Sequence, residues 1–212
     1  MYTSSLTLEQ VADGRLKALR NAEELVRDAR CLYRKRRWPR ALFLSQIAVE
    51  EAGKYFYLFS SCVAIVKGSI KWPLFWKTLR SHTEKTTLFL MMEGILLPGP
   101  DDPRQIAEFQ GDARVLERAK MWSLYSDYET KEFFAPSEVI AHAMAKQALH
   151  LARNRVRLAR LFESSADWSS TVRRITPSDI SSFEEFVKEK MKTQGVPDLP
   201  PEGSEDLPYE SL

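Results

Sequence analysis

The sequence predicts an all-α fold, a bundle of about five long helices. Three observations carry that prediction. Prolines leave long uninterrupted runs between Pro39 and Pro73, Pro73 and Pro98, Pro103 and Pro136, and Pro136 and Pro177. Proline removes a backbone donor and clashes inside a helix, so each run has room for one. Glycine is scarce, at 8 of 212 residues, so few positions invite a break. No stretch alternates apolar and polar residues long enough to indicate a sheet.

The first helix is predicted from Thr7, its N-cap, to about Arg36. Val11, Ala18, Ala22, Leu25, Ala29 and Leu32 recur at helical steps and form an apolar stripe. The second runs from about Pro39 to Val66, with Gly68 ending it. It is apolar on several faces and so belongs at the centre of the bundle. The third runs from Pro73, a good first-turn residue, to about Leu97. LPGPDDP then forces a break. The fourth runs from Pro103 to about Tyr125. The fifth begins at Pro136–Ser137 and continues to about Ser165. The bundle is thus predicted over residues 1–166. A short amphipathic helix starting at Ser178 forms an extension over 167–195. The Pro- and acid-rich stretch 196–212 has the composition of a disordered tail.

The composition, 44% hydrophobic and 28% charged, is that of an ordinary globular protein. The net charge of +2 hides an asymmetry. Residues 167–212 hold ten acids and five bases, which leaves +7 on the body before them. A mildly basic body permits an anionic partner without requiring one. Cys31 and Cys62 lack metal-ligand spacing and read as small apolar residues of a reduced protein. MYTSSLTLEQ has no apolar signal region, and Tyr55–Val66 is too short to span a membrane. The expectation is a cytoplasmic protein with no membrane partner.

Functional candidates come from polar residues that interrupt apolar stripes, because a buried charge costs several kcal/mol, roughly, unless paired. In the second helix these are Ser45, Glu50, Glu51 and Lys54. Glu51 and Lys54 share a face with Ile47 and Leu58, and Glu50 and Lys54 have i,i+4 pairing geometry. In the third, His82 lies on the stripe Phe75, Leu79, Thr86, Phe89, flanked by Arg80 and Lys85. In the fourth, Lys120 is in register with Phe109, Ala113, Leu116 and Leu124, and must find a carboxylate or solvent. Tyr125 and Asp127 follow it. In the fifth, Arg155 sits on the stripe Met144, Ala148, Leu151, Leu158, Phe162, beside Asn154. The run RNRVRLAR gives a basic face able to bind phosphate, without the interleaved aromatics that stack bases. The sequence contains no GxxxxGK[ST], HExxH, ExxH or GxSxG. No metal site and no cofactor are expected.

Ser45…Glu50-Glu51-Ala-Gly-Lys54, then Phe75…Leu79-Arg80-Ser-His82-Thr-Glu-Lys85, then Lys120…Leu124-Tyr125-Ser-Asp127 with Pro136-Ser137-Glu138, resembles the AbiV family of abortive-infection proteins. That family is placed in the HEPN superfamily of helical domains. The likeness spans roughly Leu8 to Phe162 and implies an HEPN-like bundle and a phage-defence role. The infected cell would be arrested through RNA or the translation machinery. It also implies homodimerisation and, in many HEPN domains, metal-independent RNA cleavage by an Arg-(four to six residues)-His motif. Here no histidine has an arginine at that upstream distance. Arg153-Asn154 resembles the start of the motif, but Leu158 or Ala159 stands where its histidine would fall.

Two readings follow. In the first, His82 transfers the proton, with Glu51, Lys54 and Lys85 as electrostatic partners in a metal-independent ribonuclease. Arg80, Lys120, Tyr125, Asp127, Asn154 and Arg155 would bind its substrate. In the second, the protein is a non-catalytic interaction protein. The same charges would then form a structural ion-pair network or a site for a phage or host protein.

Overall fold

A computed structural model describes residues 4–81, 116–129, 132–165 and 167–168. Helix α1 spans Leu8–Arg34. Thr7 caps it as the sequence predicts. Its hydroxyl accepts from the Gln10 N–H at 3.3 Å, and the Gln10 side chain accepts from the Thr7 N–H at 2.9 Å. This reciprocal box satisfies two donors that a helix start would leave open. The chain reverses through Arg36, at φ 57, into α2 at Trp38–Val66. Pro39 lies in the first turn of α2 and Gly68, at φ 66, just beyond its end. Helix α3 is Trp72–Arg80. Residues 116–124 form α4. A hairpin of β1 (Asp127–Glu129) and β2 (Glu132–Phe134) follows, then α5 (Pro136–Val139) and α6 (His142–Ser164).

The core lies where α1, α2 and α6 meet. Its seams are alanines seven residues apart, which returns them to one face: Ala22 and Ala29, Ala41 and Ala48, and Ala145, Ala152 and Ala159, all fully buried. Small side chains let the axes approach closely, and Leu19, Val49, Phe56 and Val156 fill the remaining space. Leu42 packs with Ala145 and Phe56 with Phe162, so α2 and α6 run parallel. Arg15 meets Glu163 and Tyr33 meets His142, so α1 runs antiparallel to both. Helix α3 docks through Phe75, stacked on Tyr57 at 5.7 Å between centroids. Among the described residues no helix is long and apolar enough to cross a membrane.

The all-α class holds, with three local corrections. The helix predicted from Pro73 to about Leu97 stops at Arg80, and Ser81 is extended at ψ 123. Serine competes for backbone hydrogen bonds and is a weak helix former. Residues 82–97 lie outside the described residues. The helix predicted from Pro136 is divided, because Ile140 and Ala141 are extended. The break turns Ile140, almost fully buried, into a cluster with Leu42 and Ala145. Finally, Asp127–Glu129 and Glu132–Phe134 form a two-stranded sheet where none was predicted. Three residues per strand are too few for period-two alternation to register. Most of the fourth helix, the helix from Ser178 and the tail after Gly195 also lie outside the described residues.

Candidate functional site: buried charges around the central helix

Two ion-pair networks are anchored on α2. The first joins α2 to α4. Lys120 is only 5% exposed, and its ammonium lies 2.7 Å from Glu50 Oε1 and 2.6 Å from Glu117 Oε2. Burial alone would lower its pKa. Hydrogen bonds to Glu117 and Glu50, together with their charges, outweigh that and raise it. Lys120 thus finds the carboxylate its stripe position demands. Glu50 therefore serves Lys120, and the predicted i,i+4 partner Lys54 instead donates to Glu51, one turn back on its own helix. Two further bonds fix α4. Ser123 Oγ donates to the Lys120 carbonyl at 2.7 Å, and Arg40 Nη1 donates to the Leu124 carbonyl at 3.3 Å. Ser45 is buried with its hydroxyl bonded to Ala41 O at 2.7 Å, inside its own helix.

Beside this network lies a cavity of about 20 Å³, lined in part by Ser45, Gln46, Glu50 and Glu117. Gln46 Oε1 is buried and finds no hydrogen-bond partner among the described residues. The space suits one water and is far too small for a nucleotide.

The second network joins α1, α2 and α6. Arg15 is 2% exposed. Its Nη1 donates to Glu163 Oε2 and to Tyr55 Oη, the latter at 3.3 Å, and its Nη2 donates to Glu163 Oε1 at 3.2 Å. Tyr55 Oη donates to Glu163 Oε2 at 2.7 Å. The guanidinium also lies 5.4 Å from the Tyr55 ring centre and 5.8 Å from that of Phe59. Burial, then the hydrogen bond and charge of Glu163, push the Tyr55 phenol far up against the opposing pull of Arg15. Sequence reasoning missed all three residues. The signal was present, because Arg15 falls one turn after Val11 on the stripe that continues to Ala18 and Ala22.

The other predicted site residues are dispersed. Arg80 is exposed at the end of α3, its guanidinium 6.0 Å from the Trp76 ring centre. Tyr125 is exposed after α4, and Asp127 opens β1 with its carboxylate accepting from the Tyr128 N–H at 2.8 Å. Arg155 is buried on the inner face of α6. Asn154 is exposed on the outer face, its Nδ2 3.0 Å from His150 Nε2. His82 and Lys85 lie outside the described residues, so their distance from Glu51 and Lys54 does not enter the site. Among the described residues no three His, Cys, Asp or Glu side chains gather as metal ligands.

The family model HEPN_AbiV, described as AbiV, matches residues 10–157, more than two thirds of the chain. The chain belongs to the AbiV family. Comparison with curated proteins and with solved structures finds no match. AbiV proteins are HEPN-type helical proteins of abortive infection, so membership assigns the chain to phage defence. The AbiV match contains Glu50, Glu117 and Lys120. It also contains Arg15 and Tyr55, but stops short of their partner Glu163.

Proposed function

We propose that this AbiV protein protects against phage as a non-catalytic binding protein, and that its charged cluster on α2 and α4 is a structural ion-pair network. The observation that supports this reading is the burial of Lys120 between Glu50 and Glu117. An ammonium only 5% exposed and bonded to two carboxylates is neutralised and shielded from a phosphate in solvent. Glu51 and Lys54 likewise engage each other within one helix. Arrest of the infected cell then comes from what the folded surface binds, in the phage or the translation machinery.

The test uses Lys120→Met. Under this reading it lowers thermal stability, and phage protection falls only as folded protein is lost. Total cellular RNA stays intact during infection of protected wild-type cells. A Lys120→Met protein that melts like wild type yet gives no protection would refute the structural role. Cleavage of RNA by the purified wild type would refute the non-catalytic reading.

A further inference from the structure

We propose that the acidic segment 196–212 docks on the basic turn between α1 and α2 of its own chain and screens that turn from other polyanions. The inference goes beyond the proposed function and holds or fails without reference to phage protection.

The turn concentrates charge without counter-charge. Arg30, Arg34, Lys35, Arg36 and Arg37 are all exposed, and among the described residues none of their side chains pairs with an acid. Arg40 adds a sixth base, bonded through Nη1 to the Leu124 carbonyl. The sequence holds no acid between Asp28 and Glu50. Folding does not ask for this arrangement. Arg36 takes a left-handed conformation, φ 57, that glycine adopts freely and an L side chain only at a cost. Arg37 is the N-cap of α2, with no side-chain cap bond and no acid in the first turn that follows. A cation at a helix N-terminus opposes the helix dipole, whereas an anion brought there is favoured. The turn is thus costly to the bundle by itself, and an anion laid over it relieves the cost.

The complement is on the same chain. Residues 196–212 hold Asp198, Glu202, Glu205, Asp206 and Glu210 and no base. They lie outside the described residues and outside the AbiV match. Their reach is sufficient. Trp168, the last described residue, stacks on Phe162 at the far end of α6, whereas the α1–α2 turn lies beside the start of α6, where Tyr33 meets His142. The 23 residues of α6 set those ends about 35 Å apart at roughly 1.5 Å per residue. From Trp168 to Asp198 is 30 residues. A flexible chain of that length spans about 30 Å and a helical one about 45 Å. Tethering also holds the acids at an effective concentration on the order of millimolar, which a free polyanion must overcome. The exposed basic stripe of α6 is the weaker competitor. Its Lys146, Arg153 and Arg157 are spread over twelve residues, against six bases within eleven at the turn.

A nitroxide on Cys31, exposed within the basic segment, reads the contact, since Cys62 is buried and does not react. In the full chain at low salt the amide signals of residues 198–210 should broaden, and high salt should restore them. Reversing the turn with Arg34→Glu, Arg36→Glu and Arg37→Glu should abolish the broadening. So should reversing the tail with Asp198→Lys, Glu202→Lys, Glu205→Lys and Asp206→Lys, and the two reversals together should bring it back. Circular dichroism checks every variant, and the tail reversal alone decides the question if the turn variant does not fold. On a heparin column, truncation after Gly195 should shift elution to higher salt, and by more than the same truncation shifts the turn-reversed variant. Sharp tail signals at low salt, broadening that survives either reversal, or equal heparin shifts in the two backgrounds would each overturn the docking. So would equal broadening when nitroxide and isotope label are on different chains, which would place the tail on a second copy.

Discussion

The two networks on α2 begin five residues apart, at Glu50 and Tyr55, yet are finished differently. Around Arg15, among the described residues, no side-chain atom of Arg15, Tyr55 or Glu163 is buried without a partner. A planar five-donor cation faces a carboxylate, a phenol and two aromatic rings, and the phenol also serves the carboxylate. Around Lys120 the ammonium is met, but a cavity remains and Gln46 Oε1 has no partner among the described residues. Arginine presents a rigid fork that organises several acceptors at once, whereas lysine is a point charge that leaves its neighbours to find their own partners. The Arg15 network is therefore a saturated clamp on three helices, and the Lys120 network a looser tie between two.

The sharpest way to break the comparison is Arg15→Met. It leaves Glu163 partly buried beside a phenol, and removing one member of a buried pair costs about 3–5 kcal/mol. Denaturant unfolding should show a loss of that size. The double variant Arg15→Met with Glu163→Leu should recover much of it, because no uncompensated charge then remains. Lys120→Met takes the ammonium from Glu50, 7% exposed, and Glu117, 36% exposed, but the cavity beside them can admit water to both, so it should cost less, about 2–3 kcal/mol. If the two losses are equal, the distinction between a saturated and a looser network fails.

Alkaline titration sharpens the contrast further. Near Arg15, burial pushes the Cys62 thiol from an ordinary 9.0 up to about 11, and raises the Tyr55 phenol above 10.0. Both groups are held neutral by the fold. The stability lent by Cys62 is complete below pH 9 and declines as pH rises from 9 through 11, and that lent by Tyr55 declines only above pH 10. Lys120 is also raised, from 10.5, so its contribution is intact below that value and lost only as pH climbs through the higher folded pKa. Stability measured against pH should therefore begin to fall near pH 9. Cys62→Ala should flatten the first part of the fall, and Lys120→Met should leave it unchanged. A wild type equally stable at pH 8 and 10.5 would contradict the burial of the thiol. Cys31, which is exposed, should react with thiol reagents long before Cys62.

Much of this architecture is legible in the sequence, and the exceptions have physical causes. Helix starts at Thr7, Pro39 and Pro73 follow from capping chemistry and proline geometry, which are local. The need of Lys120 for a carboxylate is legible because its register is. The identity of Glu50 as that partner is not, because 70 residues separate them and only packing brings them together. Sequence spacing favours Glu50 with Lys54, but Glu50 faces α4 and is already engaged. The inner face of α6 is misplaced by weighting large side chains. Met144 reads as core yet is exposed, while the helix turns Ala145, Ala152 and Ala159 inward so that backbones can approach. Arg155 is buried on either reading. The hairpin escapes because its strands are shorter than any usable period.

The smallest expected effect concerns Gln46, and its sign decides how the Lys120 side of the comparison is finished. A buried acceptor without a partner costs about 1–3 kcal/mol, part of which a polar side chain recovers through its other contacts. Leucine at this position keeps the apolar packing of α2, removes the unmet acceptor and leaves the Glu50–Lys120 bond untouched. Gln46→Leu should therefore raise stability slightly, by less than about 1 kcal/mol, seen as a higher denaturant midpoint with an unchanged slope. The cavity beside Gln46 is large enough for one water, and a water held there would donate to Gln46 Oε1 and reach Glu50 or Glu117 as well. In that case the substitution breaks a bridge and stability drops. A fall in the midpoint would thus place a structural water in the cavity and show the Lys120 network to be as fully satisfied as that of Arg15.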